Sequence, residues 1–309
     1  MTAATMAAAP ARGRAWLVNA LVTVVLWGVW GAFSGLSPQH GFPETLVYCV
    51  WALTMIPPAL VVLAQAGWKL DRSRSAILHG LAVGLLGAGG QMVLFYAVAR
   101  GPAYLIFPII SLSPVLTIAM SFLLMGERTG RLGALGIVLA LLALPTFDFA
   151  PGAGGAPSAG WLVPALVVMA CWGVQAYFMK AANHIMSAES IFVYMALTAL
   201  LLAPVAWWMT DFSRPINWGL DGPGLAALIQ VLNAIGALTL VFAFRYGKAI
   251  IVAPLANAGA PLATALISLV VLGVVPGPLK ALGIALALTA SLLLAIEPDS
   301  ADAETDPAN

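Results

Sequence analysis

The sequence predicts an all-α integral membrane protein: ten transmembrane helices arranged as two inverted five-helix repeats. Three observations predict it. The 309 residues are 62% hydrophobic and only 8% charged, whereas a soluble domain averages about a quarter charged; in water such a chain would lack the polar surface to cover itself. Apolar runs of about 20 residues, the length that spans a bilayer core, follow one another from end to end. The pattern of the first half also returns in the second.

The return is specific. Leu94, Ala97, Gly101, Ala103 and Pro108 recur 146 residues later as Leu240, Ala243, Gly247, Ala249 and Pro254. After one inserted residue, Pro114, Gly126, Leu135, Gly136 and Ile137 recur 147 later as Pro261, Gly273, Leu282, Gly283 and Ile284. An offset near half the chain marks a duplicated unit.

Taken in order, runs bounded by charge, Pro or Gly clusters give ten predicted spans: 16–36, 43–66, 76–99, 103–125, 132–149, 160–180, 189–209, 222–245, 249–272 and 278–296. The run after the basic MTAATMAAAPARGR is too long for a signal h-region, and no A-x-A site follows it, so it reads as a retained first span. Residues 1–150 form the first repeat, with spans from 16 to 149. Residues 151–160, PGAGGAPSAG, have the composition of a flexible linker. Residues 161–296 form the second repeat, and 297–309 an acidic tail too polar to fold.

Orientation follows the distribution of cations. With the N-terminus inside, the inside segments hold Arg12, Arg14, Lys69, Arg72, Arg74, Arg128, Arg131, Lys180, Arg245 and Lys248, against Arg100, Arg214 and Lys280 outside. Both termini are then cytoplasmic and the linker periplasmic. An odd number of helices per repeat turns the second copy upside down. The charges agree: Glu127, Arg128 and Arg131 are matched by Val274, Val275 and Pro278. Inverted repeats in the membrane plane are a recurrent architecture of secondary transporters, with the substrate site near the midplane between the repeats.

Other classes fare poorly. A net charge of +1 gives no basic face for nucleic acid. Cys49 and Cys171 lie within apolar runs without ligand spacing, so neither a metal nor a disulfide is expected. There is no H-E-x-x-H, G-x-S-x-G or P-loop, so neither an enzyme nor an ATP-driven step is expected, and no cofactor.

Two features carry a family pattern beyond the tandem halves. WGVWGAFSG, Trp27 to Gly35, is echoed by WGVQAYFMK, Trp172 to Lys180, and the fourth span ends in LLMGER, Leu123 to Arg128. The chain resembles the drug/metabolite transporter superfamily, and within it the EamA-type ten-helix members, from Trp16 to Ile296. The second copy departs from the LLMGER hallmark at LGVVPG, Leu272 to Gly277, where the charges would lie outside. The resemblance implies transport of a small metabolite, mostly efflux, by alternating access across a bacterial inner membrane. Members carry amino acids, nucleotide or sugar derivatives, and cations. A channel or a non-transporting membrane sensor is the alternative. The partners expected are a small-molecule substrate and the lipid bilayer. A coupled proton or ion is left open, as is a monomer or homodimer.

A pathway through hydrocarbon needs polar groups at depth. In the third and eighth spans, Gly84, Gly87 and Gln91 align with Gln230, Asn233 and Ala237 on one helix face, with glycine opposite each amide of the second copy. The small residues would leave room for a ligand touching Gln91 and Asn233; alternatively the amides brace helices. Gln230, nearer its helix start, is expected to be structural. In the fourth and ninth spans, Pro108, Pro114, Pro254 and Pro261 each remove a backbone donor and free a carbonyl, marking candidate hinges. Ser111 aligns with Asn257, either as substrate contacts or as partners for the freed carbonyls. Trp27, Trp30, Trp172 and Gln175 lie too deep for an interfacial belt. They would stack on a planar or cationic substrate or pack on glycine-rich neighbours. Tyr96, near the outer end of the third span, is a candidate vestibule residue. The acids sit at span ends: Glu44 and Glu189 each begin a span, where an anion suits the helix N-terminus.

Overall fold

The computed structural model describes residues 14–98, 106, 109–148, 159–271 and 277–296. Pro108, part of the first half of the fourth predicted span, most of the linker and the acidic tail lie outside the described residues. Regular structure among the described residues is helical throughout. The helices are α1 (Ala15–Phe33), α2 (Leu36–Gln39), α3 (Glu44–Thr54), α4 (Ile56–Gln65), α5 (Arg74–Val98) and α6 (Ser113–Leu124). They continue as α7 (Arg131–Asp148), α8 (Leu162–Ala182), α9 (Ala188–Trp208), α10 (Leu225–Tyr246), α11 (Ala249–Val271) and α12 (Pro278–Ile296).

Eight helical stretches among the described residues are long and apolar enough to cross a bilayer, and two shorter apolar helices, α6 and α7, complete ten. At about 1.5 Å per residue, the 21 residues of α8 or α9 cover the hydrocarbon thickness. In lipid this is the economical solution, because a helix satisfies its own backbone.

Two predicted spans differ in detail. The second is not continuous: it breaks at Met55 into α3 and α4, with Pro57 and Pro58 in the first turn of α4. Proline at these positions costs no donor the helix needs, but it cannot continue α3. In the fourth, helical residues Ile109 and Ile110 precede a turn at Ser111–Leu112, and α6 begins at Ser113.

Packing runs between repeats. Helix α1 lies against α10 and α11, whereas α8 lies against α5 and α6; α9 lies against α3, α4 and α5, and α7 against α12. Matched glycines set these distances. A Cβ on Gly136 would meet the Leu294 side chain of α12 at 2.9 Å, and one on its counterpart Gly283 would strike Thr146 of α7. Small residues of this kind let backbones approach where burial of apolar surface gives little drive between helices.

The chain ends of the helices are tied at one end of the bundle, the end that bears Glu127. Lys180 in the last turn of α8 is buried and donates to the carbonyls of Phe244 (3.0 Å) and Gly247 (2.6 Å), at the C-terminus of α10. A cation there meets the negative end of the helix dipole and unsatisfied carbonyls together.

Candidate functional site: a polar cluster between the repeats

The site grows from the two WG dipeptides. Trp27 on α1 donates its indole N–H to the Asn233 carbonyl of α10 at 3.2 Å. Its counterpart Trp172 on α8 donates to the Gly87 carbonyl of α5 at 3.3 Å. Gly87 and Asn233 are themselves counterparts, 146 residues apart, so one bond occurs twice, once in each repeat's first helix. Each ring fits because the neighbouring helix has a glycine: a Cβ on Gly236 would lie 2.5 Å from the Trp27 ring, and one on Gly90 2.7 Å from Trp172 Nε1. A second pair repeats the relation. Thr264 of α11 donates to the Gly28 carbonyl at 3.0 Å, and Thr117 of α6 to the Gly173 carbonyl at 2.9 Å. The pseudo-two-fold is thus written in hydrogen bonds, every one of them between repeats.

Trp27 and Trp172 are therefore packing residues in a glycine-lined groove. Trp30 is different. One turn along α1, its indole donates to Gln230 Oε1 of α10 at 3.2 Å, and Asn233 Nδ2 approaches the same oxygen at 3.4 Å. Gln230 is 5% exposed, while Trp30 and Asn233 are half-buried. In the other repeat the partner of Trp30 is Gln175, which fills the notch at Gly87.

The glycines of α5 correct one expectation. They do not leave room for a ligand: side chains of α8 and α9 occupy that space. A Cβ on Gly87 would meet Gln175, on Gly84 Thr198 and on Gly80 Tyr194. The physical reason is that a bilayer interior tolerates no voids between helices when a close approach restores dispersion contacts. Gln91 is half-buried on α5, and Tyr96, 43% exposed, lies further along the same helix.

The prolines also separate. Pro254 and Pro261 lie inside the continuous helix α11. Pro114 is in the first turn of α6, just after the turn at Ser111–Leu112 that follows helical Ile109 and Ile110. Pro108 falls outside the described residues. Asn257, half-buried on α11, donates to the Ala253 carbonyl at 2.9 Å. That carbonyl is not one that Pro254 or Pro261 frees, since each proline releases the carbonyl four residues before it.

At the Glu127 end lies a polar cavity of about 560 Å³ lined by Asp71, Asn183, His184, Ile185, Met186, Ser187 and Arg245. Asp71, in the loop before α5, accepts from Ser187 N at 2.9 Å and Ser187 Oγ at 2.8 Å, at the N-cap of α9. The Ser187 backbone bond is the main cause that holds the Asp71 carboxyl below its usual range, with the hydroxyls of Ser187 and Ser190 and the Arg245 charge adding to it. Burial, with the neighbouring Lys180 charge, pushes His184 down, so this imidazole is neutral at pH 7. Because the folded Asp71 binds its proton more weakly than the unfolded chain does, its stabilisation is complete above the unfolded value of about 3.9 and is lost as pH falls through the folded value. Asp71→Ala is expected to cost about 0.5–2 kcal/mol at pH 7, nearer the lower figure for a solvent-screened carboxylate. The cost should shrink as pH falls through the folded value; thermal unfolding across an acid pH series measures it.

Comparison with known proteins agrees with this architecture. Residues 14–145 and 159–296 each match the EamA-like transporter family. The chain belongs to that family, a transporter of the drug/metabolite superfamily built from paired repeats. It is 27% identical over 197 residues to the pseudopaline exporter CntI of Pseudomonas aeruginosa strain UCBPP-PA14, a match covering 62% of this chain and 66% of the exporter, just under two thirds of the latter's length. It is 25% identical over 247 residues to protein RarD of Streptomyces exfoliatus, covering 76% of this chain and 71% of RarD. A solved crystal structure shares the fold with a TM-score of 0.75 at 20% identity, over 93% of this chain and 99% of its own.

Gln230 is the residue that sequence reasoning set aside. The signal was present: Trp30 and Gln230 both carry hydrogen-bonding groups, and their repeat counterparts are Gln175 and Gly84.

Proposed function

We propose that this transporter carries a small metabolite out of the cell by alternating access, through a single pathway whose substrate site is the cluster between the repeats. The observation that supports it is the Trp30–Gln230–Asn233 group, where one indole N–H and two amides from opposite repeats converge at depth. Polar side chains so placed are costly unless they serve helix association or a pathway. Here Trp27, Trp172, Thr117 and Thr264 already supply the association. Trp30, Gln175, Gln91, Asn233 and Asn257 are the proposed substrate contacts, with Ser111 and Tyr96 along the route. Pro254 and Pro261 are the proposed points of flexure.

Chemistry narrows the cargo. The proposed contacts are indoles and amides, so a substrate with hydrogen-bonding groups and a planar or cationic part fits better than a bare anion. The outward direction is supported by the exporter among the relatives; its substrate is not carried over. The positive-inside rule supports both termini in the cytoplasm of a cell bounded by this inner membrane, with the linker 151–160 outside and the tail 297–309 on the cytoplasmic side. On that assignment the Glu127 end faces the cytoplasm.

Counterflow in proteoliposomes tests the reading. Purified protein preloaded with each member of a panel of amino acids, nucleoside and sugar derivatives and organic cations should show saturable, trans-accelerated uptake for at least one. Single-channel conductance without saturable exchange would contradict it.

A further inference from the structure

We infer that Glu127 is the gating residue that holds the pathway shut at its own end of the molecule; this rests on the alternating-access reading above. The LLMGER segment is built to deliver it. Helix α6 ends with Met125 N and Glu127 N both donating to the Ser121 carbonyl, at 3.2 Å and 3.1 Å, across Gly126 at φ 68°. A Cβ at Gly126 would meet nothing within 4 Å, so glycine is there for its left-handed backbone and not for space. The turn throws the Glu127 side chain across the repeat boundary. Its Oε1 accepts from Ala249 N at 3.1 Å and its Oε2 from Ile250 N at 2.9 Å. These are the first residues of α11, whose N–H groups have no partner within the helix. Lys248 closes the same seam, donating to the Arg128 carbonyl at 2.8 Å.

The other ties between the repeats behave differently. Asp71 holds the start of α9 at this end, and its counterpart Asn217 donates to the His40 carbonyl at 2.9 Å at the opposite end. Both are formed in one conformation, so they are standing braces and not alternating gates. Glu127 has no such twin. The repeat register places Val274 in its position, a side chain that accepts no hydrogen bond. The carboxylate latch joins the end of α6 to the start of α11, the helix of the second repeat that contains Pro254 and Pro261. Releasing it is what opening at this end requires.

The test uses Ser121, buried at 0% exposure beneath the latch with its hydroxyl unpaired. In a background with Cys49 and Cys171 replaced by alanine, Ser121→Cys is labelled by a membrane-impermeant maleimide from the Glu127 face of proteoliposomes. Glu127→Ala should raise the labelling rate about tenfold, the scale of losing a charged helix cap. Glu127→Asp should restore slow labelling in part. Gly126→Ala, which strains the turn but leaves the carboxylate, should give an intermediate rate if Glu127→Ala proves too unstable to purify. Unchanged labelling in Glu127→Ala, or a lowered melting temperature with no change in labelling, would make Glu127 a structural brace and overturn the inference. Labelling needs no substrate. Failure to find counterflow would therefore count against the transport reading while leaving the latch result standing.

Discussion

Asn233→Leu should lose transport while the protein remains folded. Leucine conserves size and keeps the helix, and the backbone carbonyl of residue 233 that receives the Trp27 indole is untouched. What disappears is the amide that shares Gln230 Oε1 with Trp30. As a helix brace alone, that amide contributes about 0.6 kcal/mol, the average for polar contacts between membrane helices. As a substrate contact, its loss leaves a polar group of the cargo unpaired in a desolvated site, at about 1.5–3 kcal/mol, equivalent to roughly 10–100-fold in transport efficiency. The two roles therefore separate by measurement. Thermal unfolding in detergent should move little, and counterflow efficiency should fall by at least the lower figure. A loss confined to stability would assign Asn233 to bracing.

The second large effect is steric and should appear twice. Gly28→Ala and Gly173→Ala are expected to destabilise by about 1–3 kcal/mol each, the range for overpacking a fixed contact. At Gly173 the added Cβ would lie 2.6 Å from the Ser113 carbonyl oxygen and 2.7 Å from Leu116 Cβ. At Gly28 it would strike Ala263, with backbone atoms of that residue at 3.3 Å. Neither neighbour is a flexible side-chain tip, so a helix must shift, and the shift also breaks the threonine-to-carbonyl bond that each glycine receives. Because the two sites are counterparts, the two losses should agree within a factor of about two. Gly89→Ala is the control: its Cβ meets nothing within 4 Å, and alanine should stabilise α5 by up to about 1 kcal/mol. Melting temperatures of the three variants decide the matter.

Much of this was legible in the sequence, for a physical reason. Hydropathy and charge report each span independently, so the ten spans and the duplication could be read from runs such as Leu94–Glu127 and Leu240–Val274. The resemblance to EamA-type transporters, carried by the Trp27–Gly35 and Leu123–Arg128 segments, proved to be membership. What sequence cannot report is the partner across the repeat boundary. Gly87 looked like ligand space and instead admits Gln175. Gln230 looked structural and is the shared acceptor of Trp30 and Asn233. Glu127 read as a topology marker, and its carboxylate caps α11. Pro57 and Pro58 gave an overlooked signal for the break at Met55. Each of these turns on a neighbour distant in sequence, which periodicity does not carry.

The central claim is that one site between the repeats is exposed to one side of the membrane at a time. Side-specific labelling of Asn257→Cys, in the background lacking Cys49 and Cys171, tests it most directly. Proteoliposomes of known orientation are probed from each face with an impermeant maleimide, with and without a transported compound. Reaction from a single face is expected in the absence of that compound, with a change in the ratio of the two rates in its presence. Equal, ligand-independent reaction from both faces would contradict it, because a site open to both sides at once belongs to a channel.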